Sequence, residues 1–166
     1  FAEHFSDPAK IEEATERYRM IYHEKGSHMC VLYPGVADML QTLRRAGVVL
    51  CTATSKPVTV VTPILQELGI AEYFHFIGGA SEDSSIDTKT AVIRDLLPRE
   101  FLQGKKILMV GDRRDDMEGA RDCGLPAAAV AYGYGSKEEL APYRPLILAN
   151  NCNELTNFIL EGDSNE

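Results

Sequence analysis

Ile107-Leu108-Met109-Val110-Gly111-Asp112-Arg113-Arg114-Asp115-Asp116 is the stretch on which the reading of this 166-residue chain turns. A short, continuous apolar run that stops at a glycine predicts a strand over 106–110, buried on both faces of a parallel sheet. A helix is predicted over 115–123. Carboxylates just past the C-terminal end of such a strand lie in the crevice where open α/β sheets bind ligands. Hard oxygen ligands gathered there suit Mg2+, which keeps waters and binds substrate phosphate. Aspartate is also favoured at helix N-caps. The stretch alone leaves both uses open.

Working outward, helix and strand signals alternate on both sides. Ser6-Asp7-Pro8 reads as a helix start, with an N-cap and proline at the first helical position. Ile11, Ala14, Tyr18, Ile21 and Tyr22 follow at helical spacing, and Gly26 is a C-terminal stop signal. Val36, Met39, Leu40 and Leu43 form a helical stripe ending at Gly47, before a strand at 48–53. Val61, Ile64, Leu65 and Leu68 form the next stripe, in which Pro63 belongs to an early turn or bends the helix. A short strand at 73–77, a helix at 87–97 and a strand at 127–131 come next. Leu146-Ile147-Leu148 and a helix from about Asn153 to Leu160 close the series, and Glu161 to Glu166 are expected to fray. Repeated strand–helix units with short connections predict an α/β fold: a Rossmann-like parallel sheet with helices on both faces.

Bulk properties narrow the function. The chain is 45% hydrophobic and 25% charged, as expected of an ordinary globular protein. A net charge of −8 without any Lys/Arg run argues against nucleic acid and against an anionic membrane surface. A phosphate substrate is still allowed, because local donors and a bound cation set the field at a site. Cys30, Cys51, Cys123 and Cys152 are widely spaced, so neither a zinc site nor a disulfide framework is expected. Cys51 and Cys123 are expected to be buried, and a reducing, cytoplasmic setting follows. No stretch approaches the ~18 apolar residues of a membrane span.

Four further segments give the pattern its specificity. Thr54-Ser55-Lys56-Pro57 ends one strand, Lys89 opens a helix, and Tyr33-Pro34-Gly35-Val36 and Tyr132-Gly133-Tyr134-Gly135-Ser136 flank the core. The order Thr, then Lys, then Gly-Asp-x-x-x-Asp resembles motifs two, three and four of the haloacid dehalogenase-like hydrolases. The flanking segments resemble its phosphoglycolate phosphatase-like branch. The family's first motif, a strand ending Asp-x-Asp-Gly-Thr that supplies the nucleophile, does not occur in the chain. Phe1-Ala2-Glu3-His4-Phe5 resembles the middle of the family's helical cap. The resemblance therefore implies an N-terminally truncated piece of a longer enzyme. Residues 1–30 would be the C-terminal part of the cap and 31–166 the core lacking its first strand. Gly26-Ser27-His28-Met29 spells a common tag scar but has the family's spacing, and is read as native.

The resemblance implies a Mg2+-dependent phosphatase for a small phosphorylated metabolite, working through an aspartyl-phosphate. Thr54 and Ser55 would hold phosphate beside free N–H groups of a helix start. Lys89 would neutralise the phosphoryl group and the nucleophile. Asp112 would bind Mg2+ directly, and Asp116, the family's second acid, through water or by orienting its neighbours. Asp115 would not ligate. Lys56, Arg113 and Arg114 could touch substrate or only solvent, and His4, His23, His28 and His75 have no ligand spacing. Ala120 and Gly124 match positions where the helix packs closely. A phosphomutase of the same superfamily, or an inactive phosphate-binding or regulatory module, is the alternative. The substrate and the oligomeric state are left open.

Overall fold

The computed structural model describes residues 4–162. Its elements are α1 (Pro8–Ile21), α2 (Val36–Arg45), β1 (Cys51–Pro57), α3 (Val58–Glu67), β2 (Phe76–Ala80) and α4 (Lys89–Leu96). They continue with β3 (Met109–Gly111), α5 (Arg114–Asp122), β4 (Ala127–Val130), α6 (Lys137–Leu140), β5 (Leu148–Ala149) and α7 (Cys152–Gly162). Every pairing is parallel. β1 pairs with β2, and β3, β4 and β5 pair in that order, with helices on both faces. The α/β architecture read from the sequence is therefore the one observed.

The core is built by the stripes that the spacing marked out. Leu40 of α2 and Val61 and Leu65 of α3 are buried with Ile70, and Ile77 of β2 packs against them. Ala128, Val130 and Ala149 meet Leu155 of α7 in a second cluster, and Met117, Ala129 and Leu140 make a third. Alanines fill β4 because helices press on both its faces: Ala128 and Ala129 are wholly buried. Gly47 closes the α2 turn at φ 85, a backbone conformation that glycine adopts without steric cost.

Boundaries differ from the sequence reading in instructive ways. The strands expected at 48–53 and 106–110 begin later, at Cys51 and Met109. Their missing starts, Val48–Leu50 and Lys106–Leu108, line one shared cavity rather than a ladder. The strand expected at 73–77 lies at Phe76–Ala80 instead, with a 3-10 turn over Ala71–Tyr73. Gly78 and Gly79 hid it, because glycine is depleted in strands. Here a Cβ at Gly78 would press on the Thr52 carbonyl and on Leu96, so close approach is what the glycine permits. β5 is reduced to Leu148–Ala149.

Asp7 caps α1 as read, accepting the Ala9 N–H at 3.0 Å. Gly26 does not stop the winding: a π-helical turn over Tyr22–Gly26 runs on into a 3-10 turn over Ser27–Met29. Pro63 sits inside α3, not at its start. Glu161 and Gly162 continue α7; the rest of the expected fray, 163–166, lies outside the described residues, as do Phe1–Glu3. The buried thiol is Cys152, whereas Cys51 and Cys123 are half-buried, and all four cysteines are free.

Candidate active site

The carboxyl ends of β1 and β3 and the first turn of α4 bring the sequence-marked residues together. Thr54, Ser55, Lys89, Asp112 and Asp116 line one cleft of about 990 Å3. Thr54 is the last regularly paired residue of β1, opposite Gly79. The register then slips, so Ser55 and Lys56 bulge outward and are exposed. The Thr54 hydroxyl accepts the Lys56 N–H at 3.1 Å, a local turn that fixes its position and leaves its proton for another acceptor.

Lys89 is brought in by α4, whose N-cap Thr88 accepts the Ala91 N–H at 3.2 Å. The Lys89 side chain is only 14% exposed, and its Nζ lies 2.9 Å from Asp116 Oδ1. The same ammonium donates to the Ala53 carbonyl. It thus ties the end of β1 to the start of α5. Asp116 is equally committed. Its other oxygen accepts the N–H groups of Asp112 and Arg113, both at 3.0 Å. That is the reach-back of a capping box, with Arg113 at the N-cap. The capping role thus falls to Asp116, not Asp112. A Cβ on Gly111 would collide with the Asp116 side chain, so the strand must end in glycine for this turn to close.

Asp112 is held from the other side. Its Oδ2 accepts the Tyr134 N–H at 2.7 Å. The 132–136 segment approaches so closely that a Cβ on Gly135 would overlap the Asp112 carbonyl oxygen. Glu139 of α6 locks the next two residues, accepting from Arg114 N at 2.8 Å and Arg113 Nε at 3.1 Å. The Arg114 N–H, with the Arg113 guanidinium, holds the Glu139 carboxyl below its ordinary range. Nearby, burial pushes the Tyr33 phenol up, and the Tyr134 and Asp112 side chains add to that. Arg113 and Arg114 are 58% and 63% exposed along their side chains, and Asp115 is 71% exposed.

The donor set fits a hard cation on one side. Asp112 lines the cleft and has one carboxylate oxygen engaged by the Tyr134 N–H, while Asp116 is engaged with Lys89 and the backbone and suits an orienting role. Among the described residues no group of three or more His, Cys, Asp or Glu side chains could hold a metal. Sequence reasoning missed Glu139, which no motif flagged. It also read Tyr18 and Tyr22 only as part of a helical stripe, whereas both line the cleft.

Strand ends of separate β–α units meeting around a Thr, a Lys and an Asp pair define an α/β protein with its ligand crevice at the carboxyl edge of the sheet. The chain belongs to the haloacid dehalogenase-like hydrolases, the family that matches residues 1–130. It is 39% identical over 124 residues to the tyrosine-protein kinase PtkA of Mycobacterium tuberculosis, covering 75% of this chain and 43% of that protein. It is 30% identical over 148 residues to the phosphoglycolate phosphatase of Vibrio vulnificus, covering 89% and 65%. The chain therefore spans less than two thirds of either relative's length. A solved structure described as a predicted phosphatase from Clostridium acetobutylicum superposes with a TM-score of 0.88 at 34% identity, over 96% of this chain and 74% of that one.

Proposed function

We propose that the chain is the larger part of a Mg2+-dependent phosphatase that hydrolyses a small phosphorylated metabolite, with 2-phosphoglycolate as the reference substrate. The nucleophilic aspartate would lie upstream of Phe1, on a strand that fits between β1 and β3. One observation carries this reading. Among the described residues the outer edges of β1 and β3 pair with no strand, and both face the same cavity of about 540 Å3, lined by Cys51–Ala53 on one side and Met109–Gly111 on the other. Such edges are templates for a further strand. Lys89, Asp112 and Asp116 stand at the carboxyl end of that cavity, so a side chain at the end of an inserted strand would meet them. Residues 1–30 fit the end of a cap, since Thr15 and Tyr18 of α1, and Tyr22 in the π-helical turn that follows it, line the cleft.

In the proposed reaction a carboxylate oxygen of the upstream aspartate attacks phosphorus, the ester P–O bond breaks, and the leaving oxygen takes a proton. Water then hydrolyses the aspartyl-phosphate. Thr54 and the neighbouring N–H groups hold phosphoryl oxygens, and Lys89 balances the charge of phosphate and nucleophile without leaving Asp116. A Mg2+ bound by Asp112 would supply further charge neutralisation. The proposed setting is the cytoplasm, where the four free thiols stay reduced.

The test compares two proteins. The chain 1–166 is expected to turn over neither 2-phosphoglycolate nor an aryl phosphate, while the protein with its upstream strand turns over with Mg2+. Lys89→Ala in the longer protein should cost about 10²–10³ in kcat. Metal-dependent turnover by pure 1–166 would overturn the reading, and an inactive longer protein would favour a phosphate-binding module.

A further inference from the structure

We propose that Tyr18 and Tyr22 form a stacking wall for the substrate's leaving group, which therefore carries a planar, uncharged ring. This rests on the phosphatase reading above and names its substrate class. Thr15, Tyr18 and Tyr22 are spaced three and four residues apart, which puts them on one face of the winding. All three line the 990 Å3 cleft whose other side carries Thr54, Lys89 and Asp112. The two rings lie 5.9 Å apart, tilted by 32°. Tyr18 is 55% exposed despite facing this cleft. Lys56 sets its Nζ 4.9 Å from the Tyr22 ring centroid. That cation holds the ring from the β1 side, two residues from Thr54.

A further property of the cleft selects the ring. Its lining carries five carboxylates against three cations. With Lys89 committed to Asp116 and Arg113 to Glu139, a second anionic group such as the carboxylate of 2-phosphoglycolate has only the exposed Lys56 ammonium to meet. An uncharged planar group instead covers two aromatic faces and excludes water from them.

The decisive experiment assays the longer, strand-bearing protein with phenyl phosphate, a nucleoside 5′-monophosphate and 2-phosphoglycolate. Ring-bearing esters should be preferred. Tyr22→Leu should lower the ratio of their kcat/KM to that of 2-phosphoglycolate about tenfold, through KM, the effect of one stacked ring. Tyr22→Phe should restore it, and Tyr18→Leu should act in the same direction. A parallel fall for all three esters, or an unchanged ratio, would overturn the proposal. Should no ester turn over, the phosphatase reading fails alone, and calorimetry still decides the wall. Phenylphosphonate should bind about tenfold tighter than methylphosphonate, with the difference lost in Tyr22→Leu. Equal affinities would overturn the proposal.

Discussion

The two flanks of the cleft are built in opposite ways. On the α5 side, the turn around Asp112 is held at several points. Asp116 takes two backbone N–H groups and an ammonium, Tyr134 N donates to Asp112, and Glu139 anchors residues 113 and 114. On the β1 side, Thr54 closes one local turn, and Ser55 and Lys56 bulge into solvent. On the proposed phosphatase reading, carboxylates that act in the reaction need their geometry preset, because reorganisation costs rate, whereas a phosphate cradle of exposed N–H and O–H groups would settle around its ligand.

That contrast can be broken most forcefully at Asp116. Asp116→Ala would leave the buried Lys89 ammonium without its counter-charge and two partly buried N–H groups without their acceptor. A loss of about 3–5 kcal/mol in denaturant unfolding is expected, as for other broken buried pairs. A loss below ~1 kcal/mol would show that the turn is held elsewhere. Gly135→Ala comes next. Its methyl must displace the Asp112 carbonyl, costing about 1–3 kcal/mol as overpacking does, and, on the proposed reading, weakening Mg2+ binding by moving Asp112. Unchanged stability together with unchanged Mg2+ affinity would refute the close approach.

The smallest effects concern pH and the exposed cradle. Because the Glu139 carboxyl titrates below its ordinary value, its contribution is present above that value and fades as pH falls through the lowered one. Thermal midpoints of the wild type and Glu139→Gln should therefore differ near neutral pH and converge as pH falls through the lowered value. A constant difference would deny Glu139 its anchoring role. Ser55→Ala, on the opposite flank, should change stability by less than ~0.5 kcal/mol.

These flanks also differ in how readable they were. Thr54, Lys89, Asp112 and Asp116 announce themselves by residue type and order, and all four share the cleft. What Asp116 does was not legible, since nothing in Gly-Asp-x-x-x-Asp says which oxygen meets Lys89. Glu139 was hidden because it acts across 25 residues through a backbone N–H, which leaves no local pattern. The strand starts at 48 and 106 were overcalled for a physical reason. Apolar runs mark burial, and here the runs are half-buried along a cavity, the one into which the proposed upstream strand fits, so hydrophobicity outlasts hydrogen-bonded pairing.

Lys89 has a consequence for motion as well as charge. Among the described residues of the chain 1–166, the pair β1–β2 and the trio β3–β4–β5 share no ladder. α4 lies between them in sequence, and its ammonium grips the Ala53 carbonyl on one side and Asp116 on the other. Two strand groups joined this way can open as separate cooperative units. Amide hydrogen exchange in 51–80 and in 109–149 would then report two opening free energies rather than one. Lys89 is the stitch whose removal would let those two values drift further apart.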